Sequence, residues 1–329
     1  MTSSNDVEEA IVAATADGDA LRRDCDDADA ADDDEEEEYV SVPSKRMKAT
    51  VDELICPISH ELLVDPVVAE DGELYEREEI ERLIEVQGNS LRSPMTNKKM
   101  GKALIAVIRV RNTVEKLVES RAITGELATS YKQRKKVLET KKLAKNGDVK
   151  AMESLAEWYR NGSNGVSKNE ELSNKWDVNL ATKLAGDGYT NAMNFLGYLY
   201  HTGKMGVVKN LDESYKWFKK SADSMDTKGI AHTGYFLLNG TGIKTNSSHG
   251  MALIGTAALL GSDYACYKMA EGFDKGKYGL PIERQLAKTW YKKVIDDSCS
   301  VKHLTDKFID ISKTRLEELE KEDQEPSNG

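Results

Sequence analysis

Cysteine is scarce. The 329 residues hold 4, Cys25, Cys56, Cys266 and Cys299, far apart and without a C-x-x-C pair. That excludes a disulfide scaffold and a cysteine-ligated zinc site, and it suits a reducing compartment. Proline (6) and aromatic residues (7%) are also few, a composition that points toward helix. No apolar run approaches the ~18 residues a membrane helix needs. Met1 to Ala10 carries three acids and has neither the basic nor the apolar region of a signal peptide. The expectation is a cytoplasmic protein that works without a membrane, with nuclear entry left open by the short basic cluster Lys45, Arg46, Lys48. The Asn-x-Ser/Thr triplets at Asn161, Asn239 and Asn246 then read as turns and not as glycosylation sites.

Catalytic signatures are missing too. The histidines His60, His201, His232, His249 and His303 are dispersed, and no H-E-x-x-H, G-x-S-x-G, P-loop or G-x-G-x-x-G occurs. No metal site and no cofactor are expected. Positive charge is not in excess either. Lys and Arg total 46 against 57 Asp and Glu, and residues 1–48, with 16 acids and 5 bases, account for the whole net charge of −11. The other 281 residues carry 41 of each sign, so no nucleic-acid partner is expected.

What is present begins with that acidic leader. Between Asp24 and Glu38, 11 of 15 residues are acidic, and the segment has too little apolar surface to offset the entropy of ordering it. It is expected to be disordered and to act locally, by competing with or attracting a basic surface, either a partner's or the Lys132–Lys142 stretch, or else to serve as a solubilising tail.

At Val51 the composition changes. Leu54-Ile55-Cys56-Pro57-Ile58 and Leu62 to Val68 are apolar runs broken by proline, Asp71-Gly72 is a turn, and Leu74-Tyr75 returns as the second strand of a hairpin. Glu76 to Ile84 reads as a helix with acids in its first turn, followed by a loop through Arg92-Ser93-Pro94-Met95-Thr96-Asn97 and a helix from Val107 to about Ala122. Cys56-Pro57-Ile58-Ser59-His60-Glu61-Leu62, Asp65-Pro66-Val67, Gly72, Tyr75-Glu76-Arg77, Ile80, Ser93-Pro94-Met95-Thr96 and Val110 to Val114 together resemble the U-box family along its whole length. Ala106 and Asn89 stand where many members have proline.

The resemblance implies two loops around a central helix, as in a RING finger but without zinc. One Cys and one His in the segment fall short of four ligands per structural zinc, so the loops must be held by hydrogen bonds and ion pairs. Asp65, Glu76 and Arg77, with Ser59, Glu61, Ser93 and Thr96, are the candidates. It further implies a ubiquitin ligase that holds a ubiquitin-charged conjugating enzyme ready for direct transfer to a substrate lysine, with no ligase-bound intermediate. Ile58, Leu83 and Pro94 are the implied conjugating-enzyme contacts, and Arg92 the implied cation touching both conjugating enzyme and ubiquitin. Cys56 is expected to be a buried small hydrophobe and no nucleophile.

Thr124 to Leu143 reads as a Lys-rich connecting helix with a solvated face. Beyond it the sequence repeats. Ala151, Ala192, Gly229 and Ala265 are spaced by 41, 37 and 36 residues. Leu155, Leu196, Thr233 and Met269 follow at +4, then Tyr159, Tyr200, Leu237 and Phe273 at +8, and Gly162, Gly203, Gly240 and Gly276 at +11. These offsets are one face of a helix that ends at glycine. A second helix follows in each unit, anchored by Trp176 and Leu180, Trp217 and Phe218, Leu253 and Ile254, Trp290 and Tyr291. The pattern resembles the Sel-one-like repeats, relatives of the tetratricopeptide repeat, with Gly229 and Met251 marking a degenerate third unit.

The chain is thus expected to be mainly α. Its order is a disordered acidic leader (1–48), a small α+β U-box (49–123), a connecting helix (124–143), an α-solenoid of about four helix pairs (144–300), a capping helix (301–321) and a frayed tail (322–329). The expected partners are a ubiquitin-conjugating enzyme, ubiquitin, and a substrate or chaperone on the repeats, with homodimerisation through the U-box left open. The alternative is a non-catalytic adaptor with an inactive U-box.

Overall fold

The computed structural model describes residues 51–296, 298–302 and 304–323. The acidic leader and residues 324–329 of the expected tail lie outside them. The chain divides into two compact units, with the boundary between Ser173 and Asn174.

In the first unit, β1 (Pro66–Ala69), β2 (Leu74–Glu76) and β3 (Leu104–Ala106) form an antiparallel sheet in the order β2-β1-β3. The Asp71-Gly72 turn closes the β1–β2 hairpin, and Gly72 takes φ 86°, a conformation that glycine adopts without strain. β3 has no counterpart among the elements expected from the sequence. Val67 pairs with Ala106 and Val68 with Ile105, and the Val107 N–H donates to the Pro66 carbonyl, so the segment is paired strand.

Helix α1 (Arg77–Gln87) follows β2 directly and buries Ile80, while α2 (Ile108–Glu119) buries Val114 and Val118. Cys56, Leu63, Val67, Ala69, Tyr75 and Ile80 make one core between sheet and α1. Leu54, Leu62, Val64, Val114 and Val118 make a second, and that second core also contains Ile123, Ala128 and Tyr131. Helix α3 (Gly125–Lys145) therefore packs on this small α+β domain. Its expected solvated face exists at Lys132, Lys136 and Lys142, yet Ala128, Tyr131, Val137 and Ala144 are buried. The cause is tertiary, since no strong apolar stripe marks the helix.

In the second unit the repeats are helix pairs: α6 (Thr190–Thr202) with α7 (Leu211–Asp223), α8 (Thr227–Asn239) with α9 (Ser247–Leu259), and α10 (Asp263–Lys275) with α11 (Arg284–Ile295), preceded in the chain by α4 (Val149–Asn161) and α5 (Glu170–Gly186). All four first helices end at the expected glycine in the left-handed conformation, with φ 72°, 73°, 67° and 62° at Gly162, Gly203, Gly240 and Gly276. The loops then share one device. The backbone N–H groups of Asn169, Asn210, Asn246 and Glu283 donate to the carbonyls of Tyr159, Tyr200, Leu237 and Phe273, at 2.7 to 2.9 Å. The three asparagines also cap the second helix with their side chains.

Close approach needs small residues where these helices cross. Between α8 and α9, a Cβ on Gly234 would sit 3.0 Å from the Gly250 carbonyl oxygen. Between α7 and α8, a Cβ on Gly229 would sit 2.5 Å from the Ala222 nitrogen. Gly229, which made the third unit look degenerate, is thus required by how tightly α8 abuts α7.

Helix α12 (Asp306–Glu322) closes the array, burying Phe308 and Leu319 in the core of the second unit. Arg315 holds Asp274 with two donors at 2.9 Å each, and Lys288 reaches Asp323 at 2.6 Å. Glu322 and Asp323, expected in the frayed tail, are therefore ion-paired.

One buried cluster gives the array a pH dependence. Glu271 lies 3.0 Å from Lys268 and 2.7 Å from Lys277, with both Glu271 and Lys268 almost fully enclosed. Burial pushes the Glu271 carboxyl up, but Lys268 and Lys277 outweigh it and hold the group down at about 2, from 4.5. Its stabilisation is present above the unfolded value and is lost as pH falls from 4.5 toward about 2. Glu271→Gln is expected to lower the melting temperature at pH 7 by on the order of 5 °C, with the gap to wild type closing as pH approaches about 2.5. A gap that stays constant across that range would show that the ion pairs contribute nothing net.

Candidate functional site

Two loops flank α1, and they are built alike. In the first, the His60 N–H donates to the Cys56 carbonyl (2.8 Å) and His60 is left-handed at φ 59°. In the second, the Asn97 N–H donates to the Ser93 carbonyl (2.9 Å) and Asn97 is left-handed at φ 58°. Each five-residue turn carries proline at its second position and a large apolar residue at its third. Ile58 and Met95 are therefore structural counterparts. Cys56 N–H to the Glu61 carbonyl (2.8 Å) and Ser93 N–H to the Lys98 carbonyl (2.9 Å) complete the two turns.

Ile58 is half-buried and, like Leu83 from α1, packs against the core formed by Cys56, Tyr75 and Ile80. Pro94 and Met95 are exposed at the tip of the second loop, Met95 at 54%. Met95 was not singled out in the sequence; the signal was there in the parallel Cys-Pro-Ile-Ser-His and Ser-Pro-Met-Thr-Asn spacing. Arg92 is exposed. Its guanidinium Nη1 donates to the Asn97 carbonyl at 2.9 Å, so its own loop holds one edge of the fork.

The frame beneath these loops is polar and buried. Both Glu76 oxygens accept backbone donors from the chain leaving the first loop, Val64 N–H at 2.7 Å and Asp65 N–H at 3.0 Å. Asp65 is gripped by Arg77 at 2.8 Å on one oxygen and by Arg111 of α2 on the other. The Asp65 carbonyl accepts the Arg77 N–H at 3.1 Å, which starts α1. Asp65, Glu76 and Arg77 are thus brought together, and Glu61 joins them through Arg134.

Arg111 and Arg134 are the members that sequence reading missed, because their partners lie 46 and more than 50 residues away along the chain. Ser59 is not part of the network. Ser93 organises the second loop, its hydroxyl accepting from Met95 N–H (3.2 Å) and Thr96 N–H (2.9 Å). Burial pushes the Glu76 carboxyl up, a rise opposed by the Val64 N–H and by Arg134.

Ion pairs and hydrogen bonds hold the loops in this structure. Among the described residues no three His, Cys, Asp or Glu side chains converge to hold a metal ion, and no helix is long and apolar enough to cross a membrane. Cys56 is fully buried, with its Sγ accepting the Glu76 N–H at 3.3 Å, an environment that shields it from attack chemistry. The arrangement can dock and orient a partner on an apolar edge; it offers no nucleophile.

The U-box domain model matches residues 50–123, and the Sel1 repeat model matches 149–176, 190–224, 228–262 and 263–296. A 61-residue stretch is 44% identical to the probable bifunctional E2/E3 enzyme R795 of Acanthamoeba polyphaga mimivirus, covering 18% of this chain and 4% of that protein. A 48-residue stretch is 52% identical to the WD repeat, SAM and U-box domain-containing protein 1 of Danio rerio, covering 15% and 9%. Over 106 residues the chain is 35% identical to U-box domain-containing protein 19 of Arabidopsis thaliana, covering 32% and 14%. The chain thus spans only 4 to 14% of these relatives' lengths. The crystal structure of a Sel1 repeat protein from Oxalobacter formigenes is 22% identical, covering 57% of this chain and 79% of that one, with a TM-score of 0.38. Residues 50–123 belong to the U-box family and the helix pairs between 149 and 296 to the Sel1 repeats, so the chain is a U-box domain followed by four Sel1 repeats.

Proposed function

We propose that this protein is a U-box-type ubiquitin ligase. It recruits a ubiquitin-charged conjugating enzyme to the edge formed by Ile58, Leu83 and Pro94, and the ubiquitin passes directly from that enzyme to a substrate lysine. The observation that carries the reading is the pair of matching loops, one before and one after α1 in the chain, which present Ile58 and Met95 at the same position of the same turn. Catalysis by such a surface is orientation: it narrows the conformations of the thioester toward the one open to attack. Arg92 fits the role of a shared donor to conjugating enzyme and ubiquitin, since its rigid planar fork presents donors in two fixed directions where a lysine is a single point charge. The repeats supply the site for substrate or an adaptor such as a chaperone.

Autoubiquitination with purified activating enzyme, ubiquitin and a panel of conjugating enzymes tests this. Wild type is expected to build chains. Ile58→Ala should lose roughly tenfold or more of the activity, because truncating an apolar anchor at an interface centre costs about 1–3 kcal/mol, with the domain still folded at the assay temperature. Arg92→Ala should slow transfer with conjugating-enzyme binding retained. If no member of a broad panel supports chain formation, the protein is an adaptor.

A further inference from the structure

Helix α3 lies beyond the U-box match, yet it supplies a cation to the frame of the first loop. The Arg134 Nη1 donates to the Leu62 carbonyl at 2.9 Å and sits 3.0 Å from Glu61 Oε2, while Nη2 sits 3.1 Å from Glu76 Oε2. These three points surround the loop. Leu62 bridges to Ile55 across its base, the Glu61 carbonyl closes the turn on the Cys56 N–H, and Glu76 takes the Val64 and Asp65 amides. One turn earlier on α3, the Ser130 hydroxyl donates to Glu61 Oε1 at 2.9 Å.

Farther along, the same helix is tied on both sides. Lys141 reaches Glu78 in the first turn of α1 at 3.0 Å and lies 5.9 Å from the Tyr159 ring centroid of α4. Lys136 lies 5.3 Å from the Trp158 ring centroid, also on α4. A helix serving only as a spacer would need none of these contacts.

We propose that Arg134 is a positioning residue for ubiquitin transfer. Through Glu61, Glu76 and the Leu62 carbonyl it fixes the loop that presents Ile58, and α3 joins that loop and the first repeat helix into one rigid frame. The proposal deepens the ligase reading and rests on it for its functional half. Arginine suits the site on geometric grounds: its planar fork meets two carboxylates and a carbonyl from two separate nitrogens, whereas a lysine places its three donors on a single nitrogen at the end of a shorter side chain. Within the first unit, α4 is therefore held to α3 by side chains rather than by a loose linker.

The test uses the full chain with Arg134→Lys, Arg134→Ala and, as a control on the exposed face of the same helix, Lys132→Ala. Two quantities are read: amide hydrogen exchange, and the rate of ubiquitin discharge against the concentration of charged conjugating enzyme. Arg134→Lys keeps a charge beside Glu76, so the fold survives even if Arg134→Ala disrupts it. Arg134→Lys is expected to speed exchange between Cys56 and Asp65 by roughly tenfold, the scale of losing a charge-assisted hydrogen bond, with β1 to β3 otherwise protected as in wild type. KM for the charged enzyme should rise several-fold with kcat at saturation little changed, and Lys132→Ala should match wild type in both readouts. Unchanged exchange in the first loop and unchanged KM would overturn the proposal, as would a uniform rise in exchange over the whole U-box, which marks general stability alone. If wild type discharges no conjugating enzyme, the ligase reading falls, and the exchange pattern still decides whether Arg134 holds the loop.

Discussion

Asp65→Ala is expected to cost the U-box about 2–4 kcal/mol, a large part of what a domain of this size possesses. Asp65 is 8% exposed and lies between two guanidinium groups, one from the start of α1 and one from α2. Removing the carboxylate leaves Arg77 and Arg111 facing each other across the space it filled. Both arginines are about a third exposed and recover some hydration, which sets the estimate below that for a wholly buried pair. Among the described residues no other ion pair joins α1 to α2, so their docking on β1 should loosen together. Urea unfolding monitored by hydrogen exchange of the β1 amides measures it. Asp65→Asn should fall between the two, since an amide keeps one acceptor. An alanine variant with an unshifted midpoint would mean that the apolar cores alone hold the sheet to its helices.

In the repeats the largest loss is expected from Phe218→Ala, about 3–5 kcal/mol. Phe218 is fully buried in α7, and its ring lies against Gly197 of α6 so closely that a Cβ there would sit 2.9 Å from it. The same ring lies 4.3 Å from His232 and 5.7 Å from Phe236 on α8, centroid to centroid. One side chain thus fills the space between α6 and α7 and the space between α7 and α8. In a stacked array the interface terms carry the cooperativity, so the variant should unfold in separated steps where wild type unfolds in one. A loss under about 1 kcal/mol would show that the array relaxes into the cavity.

Much of this fold is legible in the sequence, for stated reasons. The Asp71-Gly72 hairpin, α1 with its acidic first turn and the four glycine stops follow from local chemistry that the structure repeats at those residues. The buried column at Ala156, Gly197, Gly234 and Ala270, one step beyond the +4 column, was less visible, because a small residue signals close approach only once its neighbour is known. β3 escaped because three residues carry too short a pattern. Arg111, Arg134 and the approach of Cys266 to Cys299, 3.6 Å between sulfurs, depend on tertiary partners far along the chain, which no window of residues displays. At the candidate site, Ile58, Leu83, Pro94 and Arg92 came from resemblance to a family, while Met95 emerged only when the two loops were seen to share one turn geometry. The Lys132–Lys142 stretch reads differently in three dimensions as well. Arg134, Lys135 and Lys141 are engaged with carboxylates of the U-box, which leaves fewer cations for an acidic segment to attract.

The central claim is that the paired loops accelerate transfer by orienting a charged conjugating enzyme. Its most direct test is the single-turnover discharge of ubiquitin from that enzyme to free lysine, which needs no knowledge of the substrate. Wild type should accelerate discharge at least tenfold over the conjugating enzyme alone, about 1.4 kcal/mol of orientation, and Ile58→Ala should return the rate close to that baseline. A conjugating enzyme that binds the U-box yet discharges at the same rate with wild type, with Ile58→Ala and alone would contradict the account.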